Sequence, residues 1–244
     1  PSSSTREKRT RPMTIRLVTF DLDNTLWHVD SVIRRAEKET RDWIGLRVPD
    51  YASYMNAENV ASLRAQALEE SPDIRHDVSA LRIHMMSRAF EQCGLRRSEA
   101  DVRAHEAFAV FLRWRNMVTF YDGAQDALNS LSQRYQLAAL TNGNADIQEV
   151  GLGSYFSFAI SAAEVGSSKP SPEMFLEALR RADVSPNNAA HVGDNPIDDI
   201  EGANRVGMYS IWVNFDARTD RVPAYATVSD LRSLVGTIAT LDRS

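Results

Sequence analysis

The chain has 244 residues, 43% hydrophobic and 25% charged, and its net charge of −5 argues against a basic nucleic-acid-binding face. The single cysteine, Cys93, excludes an internal disulfide, and no apolar run approaches the roughly 20 residues that a membrane span needs. Because no signal peptide is visible either, we expect a soluble cytoplasmic protein without nucleic-acid or membrane partners; the sequence does not define its oligomeric state.

The chain begins with a polar stretch and then a short strand. Residues 1–12 are rich in Ser, Thr and Arg, which predicts a flexible N-terminal tail. Residues 15–20 alternate and are rich in β-branched side chains, which predicts a buried strand. Asp21 and Asp23 follow, and their carboxylates point to the same side because side chains alternate along an extended chain. Like charges this close need a cation or a shared proton, which favours an enzyme that uses Mg²⁺.

Residues 28–118 carry helical periodicity throughout, with no strand-like run. The apolar spacing predicts four helices in this segment. Residues 98–101 resemble a capping box that would open the fourth helix. We call this segment the helical insertion, because strand patterns lie on both sides of it.

From residue 119 onward, strand and helix patterns alternate. The strands that this pattern predicts are residues 136–140, 158–161, 189–192 and 209–213. Repeated strand–helix units of this length predict a parallel sheet with helices on both faces. The fold class is therefore α/β: a Rossmann-like parallel sheet core, formed by residues 13–27 and 119–244, with an all-helical domain inserted after the first strand.

Polar side chains cluster after four of the predicted strands. They are Asp21, Asp23 and Thr25 after the first strand, Thr141 and Asn142 after the second, Lys169 beyond the third, and Asp194, Asp198 and Asp199 after the fourth. Each cluster alone is also typical of a turn or a helix cap. Ligands of open α/β sheets bind at the carboxyl ends of the strands, so four clusters at one edge predict a functional site.

The polar clusters also carry a family resemblance. The order Asp-Leu-Asp-Asn-Thr-Leu, Thr-Asn-Gly, Lys-Pro and Gly-Asp-Asn-Pro-Ile-Asp-Asp resembles the four motifs of the haloacid dehalogenase (HAD) superfamily. The match covers almost the whole chain after the tail, and the helical insertion resembles that superfamily's type 1 cap. The resemblance implies that Asp21 attacks phosphorus to form an aspartyl-phosphate. Asp23 would protonate the leaving alkoxide and then deprotonate the hydrolytic water.

The same resemblance implies a magnesium site. Asp21, the backbone carbonyl of Asp23, and Asp194 would hold Mg²⁺, a hard cation that prefers oxygen ligands. Asp199 would orient metal-bound water or the motif lysine, and Asp198 is an alternative for that task. The cofactor predicted is therefore Mg²⁺.

The resemblance also implies a phosphate site and a reaction class. Thr141, the amide beside Asn142, and Lys169 would hold the transferring phosphoryl group. Asp23 favours a phosphatase or a phosphomutase over a dehalogenase, because displacement at carbon leaves no alkoxide to protonate. Thr25 resembles the phosphatase pattern more than that of the sugar phosphomutases. The reaction predicted is hydrolysis of a small phosphorylated metabolite.

Local sequence strings suggest a substrate. Residues 70–78, 141–145 and 191–194 are similar to bacterial HAD phosphatases that act on flavin mononucleotide and on 5-amino-6-(5-phosphoribitylamino)uracil, a riboflavin precursor. The alternatives are a HAD phosphatase of a nucleotide or sugar phosphate, or a phosphomutase. A non-catalytic phosphate-sensing module is a further alternative, although the motif residues are all present.

A few further side chains are candidate substrate contacts. Arg75, His76 and Arg82 lie in the helical insertion, and the alternative for each is a solvated helix face. Trp27 either stacks on a planar substrate ring or packs at the hinge between core and insertion. His191 lies within a predicted buried strand, which indicates a hydrogen-bonded core residue and not a metal ligand.

Overall fold

A six-stranded parallel sheet forms the centre of the chain, seen in a computed structural model that describes residues 14–219 and 221–241. The strands are β1 (Leu17–Phe20), β2 (Gln136–Thr141), β3 (Phe158–Ser161), β4 (Ala189–Gly193), β5 (Tyr209–Val213) and β6 (Ala226–Val228). Their order across the sheet is β3-β2-β1-β4-β5-β6, and every neighbouring pair is parallel. This confirms the predicted α/β class. The predicted tail, residues 1–12, lies outside the described residues.

Helices cover both faces of the sheet. They are α6 (Ala124–Ser132) and α10 (Leu234–Leu241) on one face, and α7 (Ala162–Val165), α8 (Glu173–Ala182) and α9 (Gly202–Arg205) on the other. Successive residues of β1 serve opposite faces, since Leu17 packs in the α8 cluster and Val18 in the α6 cluster. Burial on both faces explains why the central strands are continuous apolar runs in the sequence.

The position of β1 decides where a ligand can bind. It lies at the centre, with β2 on one side and β4 on the other, so the chain order reverses beside it. Such a reversal leaves a crevice at the carboxyl ends of the strands. The register places Phe20 opposite Val192 of β4, and the Asp21 amide donates to the Val192 carbonyl at 2.9 Å. The residues that follow β1 and β4 therefore meet at one level.

Every regular element within residues 28–118 is helical. The elements are α1 (Val29–Gly45), α2 (Tyr51–Tyr54), α3 (Ala57–Glu70), a 3₁₀ turn (Pro72–His76), α4 (Val78–Gln92) and α5 (Arg97–Arg115). They bury a hydrophobic cluster of their own around Phe90, and a smaller one around Phe111. Among the helices that the structure describes, none has the length and apolar character needed to cross a membrane.

The structure differs from the sequence-based expectations at one helix end and in several elements that were not predicted. The predicted capping box is wrong: Arg96 is the N-cap of α5, no side chain caps that end, and Ser98 already lies in the first turn. The sequence did not predict α2, β6 or α10. The first two are only four and three residues long, too short for a hydrophobic period to be recognised.

Candidate active site

The loops at the carboxyl edge of the sheet enclose a polar pocket of about 160 Å³. All of the predicted catalytic, metal and phosphate residues line it. The lining residues are Asp21, Asp23, Asn24, Thr141, Asn142, Gly143, Lys169, Asp194, Asn195, Asp198 and Asp199. Four chain segments that are remote in sequence thus converge on one cavity.

The turn after β1 sets the position of Asp21. The Leu22 carbonyl accepts hydrogen bonds from the amides of Thr25 (3.3 Å) and Leu26 (2.9 Å), which closes a tight turn. Asn24 has a φ of 59° in this turn, a conformation that Asn adopts more readily than most residues. The Thr25 hydroxyl donates to Asp21 Oδ2 at 3.2 Å, which helps to fix the orientation of the carboxylate.

Lys169 is the central cation of the pocket. Its Nζ donates to Asp21 Oδ1 at 2.7 Å, to Asp199 Oδ1 at 2.6 Å and to the Leu140 carbonyl at 2.9 Å. These three acceptors use all three N–H donors of the ammonium group. Burial alone would lower the pKa of Lys169, but the Asp199 and Asp21 carboxylates outweigh it and raise that pKa. Lys169 is therefore a permanent, fixed positive charge.

Three carboxylates crowd around that single cation. Asp21, Asp194 and Asp199 each offer an oxygen within 4.8 Å of the others. Burial, together with repulsion from Asp199, raises the pKa of Asp194 to about 6. Burial also raises the pKa of Asp21 well above its usual range, with Asp199 and Asp194 adding to the shift. The donor set is all oxygen and carries excess negative charge, so it fits a hard divalent cation.

Asp199, and not Asp198, is the carboxylate joined to Lys169. Its Oδ1 accepts from Lys169 and lies 3.2 Å from His191 Nε2, while its Oδ2 accepts from the Asn195 amide at 2.9 Å. Against the effect of burial, Lys169 and His191 lower the pKa of Asp199. Asp198 is only half-buried and lies 3.4 Å from its nearest side-chain amides. Of the two aspartates that the sequence left open, Asp199 is therefore the one in contact with the lysine.

His191, a residue of β4, is a hydrogen-bond partner of Asp199. Its Nδ1 lies 2.8 Å from the Thr19 hydroxyl, and burial lowers the pKa of the ring. Because the Asp199 carboxylate only accepts, Nε2 of the neutral ring carries the proton, and Nδ1 accepts from Thr19. His191 is fully buried and hydrogen-bonded on both sides, as expected for a core residue.

Asn142 positions the lysine loop through its side chain. Its Oδ1 accepts from the Lys169 amide at 2.8 Å, and its Nδ2 donates to the Lys169 carbonyl at 3.0 Å. The neighbouring Thr141 hydroxyl accepts from the Gly143 amide at 2.9 Å. A Cβ on Gly143 would lie 2.9 Å from Asp23 Oδ2, so the turn requires a residue without a side chain.

Arg115, the last residue of α5, is a site residue that the sequence analysis missed. Its Nη2 donates to both oxygens of Asp23, at 2.9 and 2.6 Å, and its Nε donates to Asn144 Oδ1 at 3.2 Å. The side chain is only 1% exposed. The available signal was its spacing from Phe108 and Phe111, which puts Arg115 on the buried face of the helix, where an apolar residue is expected.

Trp27 does not face the pocket. The side chain is fully buried, its Nε1 donates to Asp23 Oδ1 at 2.9 Å, and its ring packs edge-on against Phe120 at a centroid distance of 5.8 Å. The expectation that its ring could stack on a substrate is therefore wrong for this conformation. The packing alternative describes the observed position, because the indole is enclosed between the loop after β1 and the segment after α5.

The three polar candidates in the helical insertion lie outside the 160 Å³ pocket. Arg75 is exposed on the 3₁₀ turn. His76 Nδ1 lies 2.8 Å from the Ser168 hydroxyl, next to the active-site lysine. Arg82 lies 4.0 Å above the Phe111 ring, inside the insertion. Only His76 thus reaches a loop of the pocket.

Comparison with known proteins gives a consistent result. A family model described as haloacid dehalogenase-like hydrolase matches residues 15–207. The 5-amino-6-(5-phospho-D-ribitylamino)uracil phosphatase YigB of Escherichia coli (strain K12) is 36% identical over 199 residues, covering 82% of this chain and 83% of that protein. The pyrimidine 5'-nucleotidase YjjG of the same organism is 26% identical over 228 residues, covering 89% and 95%.

The solved structures that match almost the full length include the crystal structure of 2-haloacid dehalogenase from Pseudomonas syringae pv. Tomato DC3000. It is 40% identical, with a TM-score of 0.89, and the match covers 93% of this chain and 99% of that one. The fold described above is therefore shared with a solved structure.

Proposed function

The chain belongs to the haloacid dehalogenase-like hydrolases, as its motifs predicted, and is a phosphoric monoester hydrolase; from this premise we propose that it is a Mg²⁺-dependent phosphatase of small phosphorylated metabolites that works through an aspartyl-phosphate. The observation that carries the mechanism is the arrangement around Lys169. Asp21 Oδ1 lies 2.7 Å from Lys169 Nζ, and Asp194 and Asp199 lie within the same cluster. The cluster combines a fixed carboxylate, a permanent cation and donors for a metal.

The proposed reaction has two steps at phosphorus. In the first, Asp21 attacks the phosphoryl group, the ester P–O bond breaks, and the leaving alkoxide takes a proton from Asp23. In the second, a water molecule that Asp23 deprotonates attacks the aspartyl-phosphate. Inorganic phosphate leaves, and the Asp21 carboxylate is regenerated.

The acidic cluster supports the assignment of Mg²⁺ as cofactor. Asp21, Asp194 and the backbone carbonyl of Asp23 would hold the ion. Asp199 is less suited to this task, because its oxygens already accept from Lys169, His191 and a backbone amide. When bound, Mg²⁺ supplies positive charge against the negative charge of the phosphoryl oxygens.

The proposed phosphate site consists of further groups that line the pocket. The Thr141 hydroxyl and the amide beside Asn142 would hold the transferring group by donating to its oxygens, and the positive charge of Lys169 would attract the same oxygens. The Asn142 side chain contributes indirectly, since its two hydrogen bonds to Lys169 fix the loop that carries the ammonium group.

We also propose that residues 28–118 act as a cap over a catalytic core of residues 13–27 and 119–244. The insertion's own hydrophobic clusters support this division, and the hydrogen bonds that join the two parts include Ser79 with Asn144 at 3.1 Å and His76 with Ser168 at 2.8 Å. Both lie at the edge of the pocket. The substrate's leaving group would then contact residues at this edge, with His76 and Arg75 as candidates.

The proposed substrate is flavin mononucleotide or 5-amino-6-(5-phosphoribitylamino)uracil, in riboflavin metabolism. The similarity to YigB over most of both chains supports this choice. A nucleotide or sugar phosphate, or a mutase reaction, is the alternative, and the similarity to YjjG favours a nucleotide among these. Asp23 argues against dehalogenation, because displacement at carbon has no alkoxide to protonate. A non-catalytic phosphate-sensing module is the alternative that the intact site supports least.

Release of inorganic phosphate across a substrate panel tests this proposal. The panel contains flavin mononucleotide, the phosphoribitylaminouracil, nucleoside monophosphates, sugar phosphates and 4-nitrophenyl phosphate, each with Mg²⁺ and with EDTA. Halide release from a 2-haloacid is measured in parallel. We expect Mg²⁺-dependent phosphate release, highest for the two riboflavin-related esters.

Each other outcome has a defined meaning. Phosphate release from other esters alone would contradict the proposed substrate but would still support a phosphatase. Formation of an isomeric phosphate ester without phosphate release would indicate a mutase. Activity that EDTA leaves unchanged would contradict the cofactor, and no turnover of any ester would favour the phosphate-sensing module.

A further inference from the structure

The ion pair between Arg115 and Asp23 connects the helical insertion to the pocket. We propose that Arg115 is a positioning residue that holds the Asp23 carboxylate in the orientation required for proton transfer to the leaving group. The inference rests on the proposed function, in which Asp23 is the acid and base.

Asp23 is held from two directions. Arg115 Nη2 donates to Oδ2 at 2.6 Å and to Oδ1 at 2.9 Å, and Trp27 Nε1 donates to Oδ1 at 2.9 Å. Trp27 is fully buried, so this second donor is part of the core and does not move freely. A carboxylate fixed by three N–H···O contacts has lost most of its rotational freedom. Removal of Arg115 would leave only the contact to the indole.

The cost of burying Arg115 argues against a purely structural role. Its Nη1 is buried without a hydrogen-bond partner among residues 14–219 and 221–241. Buried ion pairs are weak contributors to stability, and apolar replacements of similar volume are often neutral or stabilising. The position also falls on the apolar face of α5. The presence of a buried guanidinium on the apolar face of α5 is therefore more simply explained by its contact with Asp23.

The neighbours of Arg115 tie Asp23 to two helices of the insertion. Arg115 ends α5, and its Nε donates to Asn144 Oδ1 at 3.2 Å. Asn144 in turn donates to the Ser79 hydroxyl, at the start of α4, at 3.1 Å. The orientation of Asp23 thus depends on where both helices lie. Arg115 is the residue of the insertion that contacts Asp23 directly.

Leaving-group dependence distinguishes positioning from structural support. A simple alkyl phosphate leaves as a basic alkoxide and needs a proton, whereas 4-nitrophenolate leaves without one. We would measure kcat/KM for both esters, because this constant reports the steps up to departure of the leaving group and not the later hydrolysis of a common intermediate. The ratio of the two constants is independent of the fraction of folded enzyme. A variant that merely folds poorly therefore leaves the ratio unchanged.

The variants are Arg115→Met, Arg115→Lys and a matched control, Arg113→Met, which removes an exposed arginine from the same helix. General acid catalysis contributes about 10²–10⁴-fold, so we expect Arg115→Met to lower kcat/KM for the alkyl ester at least ~10-fold more than for the aryl ester. Arg115→Lys keeps the charge and one donor, and should give a smaller change in the ratio. Arg113→Met should leave the ratio at the wild-type value.

Asp23→Asn separates failure of the inference from failure of the proposed function. If Asp23→Asn lowers kcat/KM for both esters by the same factor, the acid role of Asp23 is wrong, and the inference about Arg115 is wrong with it. If Asp23→Asn is selective but Arg115→Met and Arg115→Lys keep the wild-type ratio, only the inference is overturned. Addition of Arg115→Met to Asp23→Asn should change the ratio no further, because both act on one proton transfer.

Discussion

At the scale of single residues, Asp21, Asp194 and Asp199 lie close together in the pocket, and within the described part of the chain Lys169 pairs with Asp21 and Asp199. Burial and repulsion from Asp199 raise the pKa of Asp194 to about 6, so ionisation of this carboxyl costs more free energy in the folded protein than in the unfolded chain. A structural protein gains nothing from this arrangement, whereas a metal-dependent enzyme needs it.

Asp194→Asn should therefore stabilise the metal-free protein and abolish its response to Mg²⁺. The amide removes one of the crowded charges, which we expect to add about 1–2 kcal/mol to the free energy of unfolding at pH 7. In the wild type, Mg²⁺ at 100 times its Kd should add about 2.7 kcal/mol. Thermal unfolding in EDTA and in Mg²⁺ checks both statements, with exposed Asp183→Asn as the control. A full Mg²⁺ response in Asp194→Asn would contradict the assigned ligand.

His191 gives a pH prediction at the same scale. Burial lowers the pKa of this ring below its ordinary 6.5. As the pH falls below 6.5, His191 becomes protonated in the unfolded chain but stays neutral in the folded protein. The free energy of unfolding should therefore decrease toward acid, by up to about 1.4 kcal/mol per pH unit. Urea unfolding at pH 7.5 and 5.5 should show a smaller decrease for His191→Gln than for the wild type; equal decreases would contradict a neutral buried ring.

At the scale of secondary-structure elements, the five longer strands were predictable from their apolar sequence, and β1, β2, β4 and β5 are buried almost throughout. Residues 158–161 and 209–213 were predicted with the observed bounds of β3 and β5. Continuous apolar runs bounded by turn residues make such strands visible in a sequence. The edge strand β6 was missed, since it has only three residues, of which Val228 is the one that is buried, and they give no clear run.

The site was predictable where its residues follow a strand, and not where tertiary packing assembles it. Asp21 and Lys169 belong to motifs at strand ends, so topology alone brings them together. Arg115 meets Asp23 across 92 residues of sequence, through the packing of α5, and no local pattern records that contact. Trp27 was left open between stacking and packing for a related reason: the direction of a side chain in an irregular turn does not follow a period.

The end of β4 leads to a prediction about an element. A Cβ on Gly193 would lie 2.3 Å from Asp199 Cγ, so Gly193→Ala must displace the carboxylate that holds Lys169. We expect a loss of about 1–3 kcal/mol in urea unfolding, together with loss of phosphatase activity. Gly236→Ala in α10 is the matched control, because its Cβ would meet no atom within 4 Å, and it should gain about 0.5–1 kcal/mol. Equal stability of the two variants would contradict the packing described here.

At the scale of the whole molecule, most buried apolar side chains of the helical insertion lie in clusters separate from those of the sheet, while Val32 of α1 packs in a cluster of the sheet. Phe90 lies at the centre of the insertion's cluster, and Phe175 lies under the sheet. Contacts between the two parts include an ion pair and a few hydrogen bonds at the pocket edge. Such a division allows the insertion to loosen or move while the sheet keeps its fold.

Phe90→Ala should therefore act locally. Truncation of a buried phenylalanine costs about 3–5 kcal/mol, and we expect the loss to appear as faster amide hydrogen exchange in α3, α4 and α5 only. Phe175→Ala is the matched variant and should instead expose the strands. Exchange that rises uniformly across the chain in Phe90→Ala would show that insertion and sheet unfold as one unit.

The most direct test of the account is phosphate release by Asp21→Asn in the presence of Mg²⁺, with the best substrate of the panel and Asp183→Asn as control. The variant keeps the shape of the side chain and removes the nucleophilic carboxylate. We predict a fall of at least ~10³-fold relative to the wild type, while Asp183→Asn is unaffected. If Asp21→Asn turned over as fast as Asp183→Asn, Asp21 would not be the nucleophile, and the central claim would be wrong.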